Sequence, residues 1–149
     1  MPLIATENRV MAALFAAFQT IGTPPSSWLS QSPQVIEGVP GDALPKANVP
    51  RVYLEHSRTD PTGPEAGVAS HYHRVQVVVW CVAKTPTDVN NLKADVLRAL
   101  YANETSLAGL FGQPAWAGEF VHRRDLSDAG MAIGQQVVFV DVELAHTAP

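Results

Sequence analysis

The chain has 149 residues, 46% of them hydrophobic, with ten Lys and Arg against fourteen Asp and Glu and a single cysteine. That length suits one domain with a sizeable core, and no apolar run reaches the length of a membrane span. A formal charge of −4 argues against a surface built to grip phosphate, since basic patches supply most nucleic-acid affinity. Cys81, alone, excludes an internal disulfide framework and suits a reducing cytoplasm. The opening MPLIATENR lacks the basic stretch and apolar core of a secretory signal, so no leader is expected.

The first helix is predicted from Thr6 to about Ile21. Thr6 is its expected cap, Glu7 favours its N-terminus, and Gly22 with Pro24 and Pro25 ends it. Val10, Met11, Leu14, Phe15, Phe18 and Ile21 form its apolar face. A Pro/Gly-rich segment, 23–50, follows, with one short strand expected near Gln34–Glu37. Arg51–His56 is a strand introduced by Pro50. The polar stretch 57–69 is then a long hairpin loop, a candidate contact arm.

Ser70 to Thr105 is the centre of the chain. Val75, Val77, Val78, Val79, Trp80 and Val82 have the composition of a central strand. The period then changes: Val89, Leu92, Val96, Leu97, Leu100 and Tyr101 recur at helical spacing. Thr85 is the expected N-cap, with Pro86 at the first helical position and Asp88 in the first turn. A strand buried on both faces and a one-sided helix predict a layered α+β domain. Ser106–Ala117 is expected to be a connector anchored by Leu107, Leu110, Phe111 and Trp116. Glu119–Asp125 and Ile133–His146 are the last strands, the latter alternating Val138, Val140, Val142 and Leu144 with Phe139, Asp141 and Glu143.

Candidate chemistry is sparse. If His56 pairs opposite His71, then His56, His71 and His73 share a strand end and could hold Zn²⁺ or Ni²⁺; a solvated polar strand end explains them as well. Cys81, in an apolar run, is a small buried hydrophobe rather than a nucleophile. Asp141 and Glu143 share a strand face, which a solvated surface accounts for. The trio His122-Arg123-Arg124 is too short for a nucleic-acid patch and is expected to pair with nearby acids. The sequence shows no Walker loop, nucleophile elbow or paired-cysteine motif, so no enzyme and no cofactor are expected.

The order of elements is nonetheless distinctive. LPKANVPRVYLEH, HYHRVQVVVWCVAKTPTDVNNLKADVLRAL and GQQVVFVDVELAH resemble the tail terminator (tail completion, minor tail) proteins of long-tailed bacteriophages. The stretch most characteristic of the resemblance is the helix carrying Thr85, Asn90, Leu92, Ala94, Asp95, Val96, Arg98, Ala99 and Leu100.

The resemblance implies a single α+β domain over 1–149, helix-strand-strand-helix-strand-strand, its sheet mixed or antiparallel with helices packed on it. It implies a structural virion protein of the tail and neck, made in the host cytoplasm. Six copies would form a ring on the head-proximal end of the tail tube, ending tube polymerisation and offering a surface to the head connector or stopper protein. Partners would be other copies, the major tail-tube protein and the connector, with no membrane. DNA would pass the acidic bore without specific binding. Arg58, Asp60 and Glu65 in the hairpin loop are then subunit-interface candidates, and Asp141 and Glu143 lumen-facing ones. The alternatives are another neck component, such as a head-completion or stopper protein, and a small metal-binding module.

Overall fold

The computed structural model describes residues 5–22, 27–29, 31–41, 50–61, 72–127 and 130–143. In chain order these form α1 (Thr6–Phe18), β1 (Gln34–Glu37), β2 (Arg51–Pro61), β3 (Tyr72–Ala83), α2 (Pro86–Ala102), α3 (Glu104–Phe111), β4 (Trp116–His122) and β5 (Ala132–Glu143). The class is α+β, as the sequence implies. The five described strands make one mixed sheet in the order β1-β2-β3-β5-β4, with β1 parallel to β2 and every other pairing antiparallel.

The chain alternates sheet faces as strand geometry requires. Val75, Val77, Val79 and Cys81 of β3 point to one face with Val52 and Leu54 of β2 and Val138, Val140 and Val142 of β5. There they pack with Val10, Leu14 and Phe18 of α1, Val89, Leu92, Val96 and Leu100 of α2, and Leu107 and Phe111 of α3. The opposite face carries a second buried cluster, Tyr53, Val78, Trp80, Val82, Met131 and Ile133, with no described helix residue in it. β3 is thus apolar on both sides, which is why its sequence is an unbroken run rather than an alternation.

The start of α2 is as predicted. Thr85 is extended, its hydroxyl accepts the Asp88 N–H at 3.2 Å, and Pro86 opens the helix. The start of α1 differs: Ala5 is the N-cap, with no side-chain cap bond. Its helix ends at Phe18, and Ile21 remains buried just beyond it. The stripe on α2 also shifts. Tyr101 is 59% exposed, whereas Asp95 and Ala99 are buried.

Ser106–Ala117 is not a plain connector. It contains most of α3, stopped by Gly112 in the left-handed region at φ 78°. Leu107 and Phe111 anchor it, but Leu110 and Trp116 stand exposed at 55% and 40%. β4 begins three residues earlier than predicted because Trp116 pairs with Phe139, and it stops at His122, before Arg123 and Asp125 close a turn.

α2 lies unusually close to β5 at Gly134. A Cβ there would sit 2.6 Å from both Val89 Cγ1 and the Phe120 ring. Glycine is what lets helix and strand approach this far.

Candidate functional site

The predicted hairpin loop is shorter than expected, because β2 continues through Ser57 to Pro61 after a register shift between His56 and Arg58. Arg58 and Asp60 are therefore strand residues, opposite Gln76 and Arg74. They form an exposed ion pair with each other, N···O 2.6 Å, and the bond from Arg58 holds the Asp60 carboxyl below its ordinary value. Glu65 lies outside the described residues, as does most of the loop.

The histidine register is corrected. His56 stands opposite Val77, while His73 stands opposite Pro61, five positions further along β2. His56 Nε2 bonds the Thr59 hydroxyl at 2.8 Å, and that hydroxyl donates to Glu7 Oε1 at 3.0 Å. These contacts tie the start of α1 to β2. His71 lies outside the described residues, and among those described no group of three or more His, Cys, Asp or Glu could hold a metal. Cys81 is fully buried, and burial pushes its thiol up to about 12.

Asp141 is not a free carboxylate. It takes a two-pronged bond from Arg74, Nε at 2.9 Å and Nη2 at 3.2 Å, which raises the Arg74 guanidinium above its ordinary value. The same guanidinium lies 4.9 Å from the Trp116 ring centroid and 5.5 Å from that of Phe139. Those two rings stack at 4.4 Å. The side chain of Glu143 is outside the described set.

Two features escaped the sequence. The first is the anchoring of Ser27 and Trp28 on α2. Buried Asp95 accepts the Ser27 hydroxyl, the Trp28 N–H and Arg98 Nη2, the last at 2.9 Å. Trp28 itself projects outward, 64% exposed. A polar residue inside an otherwise apolar helical stripe was the available signal. The second is a recess of about 320 Å³ where β3 meets α2, lined by Lys84, His122, Arg123 and Arg124 over Met131 and Ile133. The basic trio forms one side of its wall. As predicted, Arg123 pairs with Asp125, N···O 2.8 Å, but His122 bonds Asn90 and Arg124 has no bond or ion pair among the described residues.

No described helix is long and apolar enough to cross a membrane. No family model and no curated protein matches the chain. Among solved structures, the chain is similar to the sheath/tube terminator of an extracellular contractile injection system (PVC) in its extended state, seen by cryo-EM. The two share 14% identity with a TM-score of 0.48, over 96% of this chain and 58% of that one. This chain therefore spans less than two thirds of that protein's length.

Proposed function

We propose that this is a structural tail terminator of a phage or phage-like particle, ending polymerisation of the tail tube by capping it as a ring of identical copies. The observation that carries the reading is the 72–102 unit. Its sequence bears the resemblance, and its strand and helix form the centre of the fold. Closed rings use head-to-tail contacts, so each copy needs two different complementary patches. On this reading the protein performs no catalytic step. It meets the tube protein on one side and the head connector on the other, in the virion neck, with six copies as the expected ring.

DNA would slide through a bore of net negative charge. Asp141 and Glu143 belong to that surface, with Asp141 arriving there as half of its ion pair with Arg74. Arg58, Asp60 and Glu65 belong to a contact with a neighbour or the tube. The test is deletion of the gene from a producing genome. Overlong or headless tails in electron micrographs are expected. Normal joined tails would refute the reading, and normal-length tails beside DNA-leaking heads would indicate a stopper protein instead.

A further inference from the structure

The recess beside α2 has a charge pattern opposite to that of the chain around it. Its lining contains Lys84, Arg123 and Arg124 and, among the described residues, no carboxylate. Three of the ten Lys and Arg of a chain with net charge −4 line it, and Asp125 beside it is taken up by Arg123. Arg123 is held by Asp125 and by Gln135 Oε1, and His122 by Asn90. Lys84 and Arg124 are exposed and make no hydrogen bond or ion pair among the described residues. The floor, Met131 and Ile133, is apolar. A polyanion needs no apolar floor and would be repelled by the rest of the molecule. A carboxylate carried beside apolar side chains suits both wall and floor.

This chain offers such a group on its far side. β4, which leads into Arg123 and Arg124, is one edge of the sheet, and β1 is the other. β1 has the sequence QVIE, and its Glu37 is exposed without a bond or ion pair among the described residues. Glu119 also stands exposed, but on β4, the same edge as the recess. The pairings make β1 and β4 run in opposite directions, so these edges can meet antiparallel. A basic recess at one edge and an acidic strand at the other are the two unlike patches a head-to-tail contact requires.

We propose that the Lys84/Arg124 recess of one copy receives the β1 edge of a second copy, Glu37 meeting the two cations. This rests on the ring reading and names the residues of its contact.

The experiment is a charge swap read by sedimentation up to about 1 mM protein, where an interaction of ~4 kcal/mol is visible. The variants are Lys84→Glu with Arg124→Glu, Glu37→Lys, and all three together. All three positions are exposed, so each variant should keep the wild-type circular dichroism and melting temperature. Either charge reversal should weaken association about tenfold, the combination should restore it, and high salt should weaken the wild type. A wild type that stays monomeric throughout overturns the proposal, as do reversals that associate normally or a combination that fails to recover. Duplex DNA that binds the wild type but not the recess variant, with association unchanged, would also overturn it. Tube capping is read separately: association without capping defeats the terminator reading and leaves the contact standing.

Discussion

Asp95, on the buried side of α2, accepts the backbone N–H of Trp28 with both carboxylate oxygens, at 3.0 and 3.1 Å, across 67 positions of sequence. The same carboxylate takes the Ser27 hydroxyl, so one side chain fixes a stretch of the Pro/Gly-rich segment to the helix layer. It holds the Trp28 backbone in place while the side chain stands exposed.

Replacing that carboxylate should be costly, because the buried Ser27 hydroxyl and the Trp28 N–H lose their acceptor and the exposed Arg98 loses an ion-pair partner. Asp95→Ala is expected to lower unfolding free energy by about 2–4 kcal/mol, measured by urea denaturation. A loss below about 0.5 kcal/mol would show that the network contributes little.

Gly134 sets the distance between α2 and β5. Gly134→Ala puts a methyl group into Val89 and Phe120, and is expected to cost about 1–3 kcal/mol. Val89→Ala in the same chain should relieve part of that overpacking, so the two effects should add to less than their sum. Strict additivity in thermal melts would mean that Val89 is not the group that Gly134 spares.

Cys81 should be inert in the folded protein. Its thiol is pushed up to about 12 by burial, so almost no thiolate exists at pH 8. A disulfide reagent is expected to label it only after denaturant is added. Rapid labelling of the native chain would contradict its place inside the helix-covered core.

Glu7 gives an acid-limb prediction. Its carboxyl lies below the ordinary glutamate value of 4.5, chiefly through its own backbone N–H in the first turn; partial burial opposes this, and the Thr59 hydroxyl adds to it. A lowered folded value means the stabilisation is present above the unfolded value and is lost as pH falls through the folded one. Glu7→Gln should therefore melt below wild type at pH 7, and the gap should close towards pH 3. A gap that widens on acidification would contradict the assignment.

The parts of this fold legible in the sequence were those set by local chemistry. Thr85-Pro86 with Asp88 marked the start of α2 to the residue, and the two-residue period of β5 identified Val138, Val140 and Val142 as core. What failed depended on partners distant in sequence. The hairpin loop looked longer than it is because Ser57 to Asp60 are polar, yet past the shift at Ser57 the ladder continues, with Arg58 to Asp60 opposite Gln76 to Arg74. The histidine cluster assumed His56 opposite His71, but β2 runs on to Pro61, which places His56 opposite Val77. α3 was hidden because eight residues carry only two buried anchors, Leu107 and Phe111, too few to display a period. The recess, likewise, joins Lys84 to Arg124 across forty positions, a closeness that only the pairing of β3, β5 and β4 creates.

The most direct test of the account is cryo-electron microscopy of tubes polymerised from the particle's major tube protein with this chain added. The account predicts extra density, a closed ring, at one end of each tube and an end to further growth there. Tubes that keep growing at both ends, or density spread along their length, would contradict it.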